Sequence, residues 1–129
     1  MTVAFQVFGR PAPQGSKTIM RGRMVESSKY LPAWRKAVSE AALAEQAETG
    51  WFCEGPVYVL IYFTLEKPKT VKREFPTVPP DVDKLARSVL DSCSGIFYND
   101  DAQVVMMTVS KKYGEKPGAT IEIAPYNEI

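Results

Sequence analysis

One run in this chain leaves little freedom in how it can fold: PVYVLIYFTL, residues 56–65, is apolar almost throughout and rich in β-branched and aromatic side chains. Such a run reads as a strand at the centre of a sheet. The other elements take their places around it. VAFQVF at 3–8 reads as a first strand ending at Gly9. From Tyr30 to Glu48, Leu31, Trp34, Val38, Ala41 and Ala42 recur at helical spacing, with Pro32 in the first turn and Gly50 as the stop. Arg35, Lys36, Glu40, Glu45 and Glu48 fall on the other face, and Trp34 reads as core. Residues 102–112 read as a further strand, and Lys116-Pro117-Gly118 turns into a last strand, ATIEIA, with period-2 alternation. These two strands are expected to form a hairpin. The fold class is α+β: a single mixed β-sheet with two helices packed on it, in the order β-(hairpin)-α-β-α-β-β. Residues 1–129 read as one domain, long enough for its own core.

Two segments carry positive charge. RPAPQGSK after the first strand is a Pro- and Gly-marked loop, and Arg10, Lys17, Arg21, Arg23 and Lys29 make it part of a basic stretch reaching to about residue 30. Residues 18–26 fit a short hairpin turning near Arg21 and Gly22. The segment reads equally as a mobile arm for a phosphate backbone or as a solvated loop. It lacks the Gly-Lys-Ser/Thr ending of a P-loop, so no nucleotide cofactor is indicated. The second basic segment, EKPKTVKREFPTVPP, carries Lys67, Lys69, Lys72 and Arg73 and leads into the acidic region. Long loops in compact domains are usually functional or disordered.

That acidic region is PPDVDKLARSVLDSCSGIFYNDDAQV, residues 79–104, where Asp81, Asp83, Asp91, Asp100 and Asp101 lie close together. Pro79 and Pro80 bar a helix arriving from upstream and favour extended geometry, in which Asp81 and Asp83 point the same way. From Asp83 a helix of about eleven residues, roughly 16 Å, is expected, with Leu85, Val89, Leu90 and Cys93 inward and Gly95 as its stop. The seven or so residues after Gly95 are long enough to bring Asp101 back along it. Carboxylates without thiolate or imidazole partners suit a hard cation, Mg²⁺ or Mn²⁺, together with water and substrate phosphate. The bland reading is that one aspartate caps the helix while Asn99 and Asp100 make a turn. Both stand at this level. A calcium site of EF-hand type is disfavoured, because the stretch lacks that loop's glycine and alternating oxygen ligands.

Composition narrows the chemistry. The chain has no histidine, which excludes Ser-His-Asp and Cys-His nucleophiles and His-metal nucleases; carboxylates with a metal remain for hydrolysis. Its two cysteines, Cys53 and Cys93, have no motif around them and read as reduced and core-facing. A net charge of +1 hides an asymmetry: setting aside four of the 15 acids, Asp81, Asp83, Asp100 and Asp101, leaves 16 basic against 11 acidic residues. No membrane span or signal peptide is read, and a cytoplasmic protein is expected.

DVDKLARSVLDSC followed by YNDDAQV resembles the two signature segments of the RusA family of Holliday-junction resolvases. The order of a Pro-rich turn after the first strand, a basic loop, and a helix with an aromatic-Arg pair agrees with it. The resemblance implies catalytic acids at Asp81, Asp83 and Asp101; Asp100, next to Asp101, is a further candidate metal ligand that could take its place. It implies a Mg²⁺-dependent endodeoxyribonuclease acting on four-way junction DNA as a homodimer. Arg87 stands where the family commonly has Lys, and Lys84 where it commonly has Asn. An arginine can clamp phosphate but cannot act as a base. Lys17, Arg21, Arg23, Lys67, Lys69, Lys72, Arg73 and Lys84 are the expected DNA contacts, and Arg87 the expected stabiliser of phosphate oxygens. The rival reading is a non-catalytic DNA-binding module with a structural cation.

Overall fold

In the computed structural model, residues 2–15, 17–20, 23–26 and 28–127 are described, those of 17–20 and 23–26 by their backbone. The order is β1 (Val3–Phe8), β2 (Lys17–Met20), β3 (Arg23–Glu26), α1 (Leu31–Thr49), β4 (Val57–Leu65), α2 (Val82–Cys93), β5 (Val104–Tyr113) and β6 (Gly118–Pro125). Four strands form one mixed sheet in the order β1-β6-β4-β5, while β2 and β3 pair antiparallel as a separate ribbon. The α+β architecture with two helices is as the sequence implies.

β4 is central, and the alternation of its burial shows why. Val57, Val59, Ile61 and Phe63 are fully buried under the helices, whereas Tyr58, Leu60, Tyr62 and Thr64 point to the opposite face. Each buried apolar side chain of that row contributes about 1.5–3 kcal/mol relative to exposure. Ile121 and Ile123 of β6 and Val3 and Val7 of β1 extend the same layer.

The expected β5–β6 hairpin is not formed. β5 pairs in parallel with β4, and β6 pairs antiparallel with β4 on its other side. Contiguity in sequence loses here to the need of β4 for a partner on both edges. The connection therefore crosses the end of β4: the Gly114 amide donates to the Leu65 carbonyl at 3.0 Å. Gly118 then enters the sheet so close to β1 that a Cβ would collide with the Val7 carbonyl oxygen.

The helices lock together through one buried polar contact. Leu31, Trp34, Val38 and Ala42 form the inner stripe of α1. The Trp34 indole N–H donates to Ser88 Oγ at 3.0 Å, and Ser88 Oγ donates to the Leu85 carbonyl at 2.7 Å. α2 buries Leu85, Ala86, Val89 and Cys93 beside Ser88 and Ser92. Both cysteines are free thiols; Cys53 is half-buried, and burial pushes the Cys93 thiol up to about 12. Among the described residues no helix is long and apolar enough to cross a membrane.

The thiols offer a check on this packing. Iodoacetamide should alkylate Cys53 in the native protein and leave Cys93 unmodified until urea unfolds the chain. Peptide mass spectrometry reads the two sites separately, and equal native reactivity would contradict the α2–sheet contact.

Candidate functional site

The site is built along the solvent-facing side of α2. Its N-terminal end is fixed from below by Lys111 of β5, whose ammonium donates to the carbonyls of Val78 and Pro80 at 2.8 and 2.9 Å. Lys111 is in register with buried Phe63, so it stands on the helix-facing side of the sheet. A lysine at that parity of a strand is the signal that sequence reading passed over.

Asp81 follows as the N-cap residue, extended at φ −73° and ψ 146°, and its carbonyl accepts the first helical bond from Leu85. Its carboxylate makes no capping bond to the helix amides. It lies instead 3.7 Å from the Lys84 ammonium, a half-exposed pair of modest energy. The helix starts at Val82 rather than Asp83, so the prolines fix one extended residue and not two. Asp81 and Asp83 are thus an N-cap and a first-turn pair, and both carboxylates are exposed where the helix dipole favours anions.

From Asp83 the stripe runs through Arg87 to Asp91 at successive four-residue steps, about 6 Å of rise each. Among the described residues Arg87 forms no ion pair with Asp83 or Asp91; the pairs are Lys36–Glu40 and Lys84–Asp81. The loop after β1 lies along this stripe, with Pro11 and Ala12 buried. The Gln14 amide N–H donates to the Lys84 carbonyl at 2.9 Å, and the Gln14 side-chain amide donates to Asp91 Oδ2. Gly15, at φ +96°, lies so close to Arg87 that a Cβ would stand 2.8 Å from its Nη1. The first part of the basic segment is therefore seated on α2 rather than loose. Arg21 and the side chains of Lys17 and Arg23 lie outside the described residues.

Asp101 arrives at the far end of the same helix. Gly95, at φ +85°, donates to the Tyr98 carbonyl, and the buried Tyr98 hydroxyl donates to the Leu90 carbonyl at 2.9 Å. Gln103 then clamps the turn. Its Oε1 accepts from the amides of Asn99 and Asp100, and its Nε2 donates to the carbonyls of Cys53 and Gly55. Asp100 Oδ1 accepts from the Ala102 amide at 2.8 Å, completing a capping box over the short 3₁₀ turn Asp101–Gln103. Of the two adjacent acids, Asp100 takes the turn role and Asp101 is turned toward Asp91. Partial burial first, then hydrogen-bonded contact with Asp100 and Asp91 and their charge, hold the Asp101 carboxyl above its ordinary range.

The structure thus gathers the acids at two ends of one stripe. Asp81 and Asp83 stand at the N-terminus of α2; Asp91, Asp100 and Asp101 stand about 12 Å further along the axis, with Arg87 between. Among the described residues no three acids or thiols converge as a metal-holding group. The donor chemistry at the Asp91–Asp101 end still fits a hard cation. Like-charged carboxylates are held in contact, and Gln14 Oε1 beside them is a buried acceptor without a hydrogen-bond partner. The second basic segment is ordered by short turns, with Val71 N–H donating to Pro68 and Thr77 N–H to Phe75. Lys67, Lys69, Lys72 and Arg73 are all exposed on it, and Arg73 Nε donates to the Tyr113 hydroxyl at 3.0 Å. Gln14 and Lys111 are the contributors that sequence reading missed, and Asp91 gains a place beside Asp101.

Residues 8–124 match the family described as endodeoxyribonuclease RusA. The chain is also similar to the uncharacterized protein YqaN of Bacillus subtilis (strain 168), 31% identical over 137 aligned positions that cover 94% of each chain.

The Lys111 contacts make the approach to Asp81 testable without DNA. Lys111→Met should lower the unfolding free energy by about 1–3 kcal/mol in urea titration. It should also speed amide exchange at Asp81 and Val82. Unchanged exchange there would show that the lysine does not hold the turn.

Proposed function

The chain belongs to the RusA family of endodeoxyribonucleases, hydrolases of DNA phosphodiester bonds, and from that membership we propose that it cuts four-way DNA junctions in a divalent-cation-dependent reaction as a homodimer. The observation that carries the reading is the family match itself, which runs from the end of β1 to β6 and takes in the whole acidic stripe of α2. Asp81, Asp83, Asp101 and Asp100 are the acids assigned to divalent cations, and Asp91 joins them because its carboxylate, like that of Asp100, lies against Asp101. Mg²⁺ typically takes one or two carboxylates and fills its remaining positions with water and substrate phosphate, so each end of the stripe, Asp81 with Asp83 or Asp91 with Asp101, offers the number of acids one such ion needs; Mn²⁺ has the same preference for oxygen. When bound, the cation supplies charge neutralisation at the scissile phosphate and activation of the attacking water.

The chain's own residues do the rest. Arg87, midway along the stripe, meets the phosphate oxygens with a planar fork that stays charged throughout. Lys84 holds Asp81 and adds positive charge beside it. Gln103 and the Asp100 cap fix the Asp101 backbone, so that carboxylate approaches substrate without reorganising its loop. Lys67, Lys69, Lys72 and Arg73 present cations to the DNA arms, where each phosphate contact adds affinity that falls with salt.

Two-fold symmetry suits two cuts on opposing strands. The sheet face turned away from the helices exposes Tyr62 and Met106, with Phe8 at its edge, apolar area of the kind a second copy covers. Recombination and repair are the settings that use such a reaction. The capping role of Asp100 favours a rival, a DNA-binding module whose acids are structural, and one experiment separates the two.

End-labelled four-way junction and matched linear duplex are incubated with the protein in Mg²⁺ or EDTA. Paired symmetric nicks confined to the junction, and only with Mg²⁺, are expected. Asp83→Asn should reduce cutting at least about a hundredfold while leaving junction affinity nearly unchanged, and sedimentation should give a dimer mass. Binding without nicks under every condition would remove the nuclease reading.

A further inference from the structure

Beside the N-terminus of α2 opens a cleft of about 1020 Å³, with Asp81 and Lys84 in its wall. Its other distinguishing residues are two tyrosines, each with a cation on its ring. The Arg10 guanidinium carbon lies 3.6 Å from the Tyr30 ring centre, and the Lys29 ammonium lies 5.2 Å from it. The Arg73 and Lys67 charges lie 5.9 and 5.8 Å from the Tyr113 ring, and Arg73 also bonds the Tyr113 hydroxyl. Tyr30 and Tyr113 come from the start of α1 and the end of β5, far apart in sequence, yet they line one space.

A backbone-binding groove alone has no use for flat π surfaces. Duplex DNA hides the faces of its bases in the stack, so rings and guanidinium planes engage bases where these are unpaired. The volume is at the upper end of the ~300–1,000 Å³ that encloses a small ligand, room for a few nucleotides and too little for a duplex arm. Tyr30 keeps 38% of its surface exposed despite the guanidinium on it. Arg10, Arg73 and Lys84 outweigh Glu66 and Asp81 in the lining, and Asp81 is already paired with Lys84.

We infer that this cleft seats a short unpaired DNA segment next to the scissile phosphate, with Tyr30 and Tyr113 as stacking platforms and Arg10 and Arg73 on its phosphates. The inference deepens the nuclease reading by giving the enzyme a physical basis for preferring branch points, where bases leave the stack, over uniform duplex. Its placement next to a scissile phosphate rests on that reading; the affinity for unpaired DNA does not.

The probe is a single strand of about ten nucleotides carrying one 2-aminopurine, titrated in EDTA so that no cutting intervenes. Wild type should bind and quench the base, and Tyr30→Ala and Tyr113→Ala should each weaken binding about tenfold, while Tyr30→Phe and Tyr113→Phe retain it. Should an alanine variant fail to fold, Arg10→Gln and Arg73→Gln serve instead, each lowering the salt slope of single-strand binding by about 0.7. Absence of single-strand binding, equal loss in the Phe and Ala variants, or unchanged affinity in all of them would overturn the inference. Junction cutting is scored separately in Mg²⁺. Cutting without any dependence on the tyrosines sinks the cleft and leaves the nuclease; single-strand binding without cutting sinks the nuclease and leaves the cleft.

Discussion

The acidic stripe can exist because the other side of the same helix is fastened down. α2 sets Leu85, Ala86, Val89 and Cys93 against the sheet and small Ser88 and Ser92 among its buried residues, which lets the Trp34 indole come within hydrogen-bond range. A buried indole N–H without a partner costs about 1–3 kcal/mol, so Ser88 holds the two helices in one register rather than allowing them to slide. With that register set, Asp83, Arg87 and Asp91 have no freedom except that of their own side chains. A bulkier residue at Ser88 would lift α2 and carry every charged group of the stripe with it.

On this rigid base the protein assembles an electrostatically unfavourable arrangement. Asp101 is delivered against Asp91 by the Gln103 clamp, the Asp100 cap and the Tyr98 anchor. Partial burial of the Asp101 carboxyl is the larger penalty, and the carboxyls of Asp100 and Asp91 held against it add to it. Such a site gains when positive charge enters it. Arg87 supplies a fixed charge on the same face of α2, one turn from Asp91.

Much of this was legible in the sequence because it follows from periodicity. The inner stripe of α1, the apolar β4 and the alternation of β6 need no knowledge of the rest of the chain. Adjacency does not predict pairing here: β5 and β6 are neighbours in sequence and are kept apart by β4. The expected start at Asp83 is one residue late, because a helix can begin at the second residue after proline as readily as at the third. Gln14 was beyond reach, since the Asp91 carboxylate it meets is 77 positions away and nothing in RPAPQGSK announces it. Asp91 could be placed on the helix, but only the closing turn at Gln103 reveals which acid it faces.

The place of β6 carries a consequence for how the molecule comes into being. Residues 118–125 lie between β1 and β4, so the first strand has no neighbour in the sheet until that segment has been made. Before then β5 is the neighbour β4 can pair with, and the other edge of β4 waits for β6. Sheet completion therefore joins segments far apart in sequence, the kind of non-local pairing that slows folding.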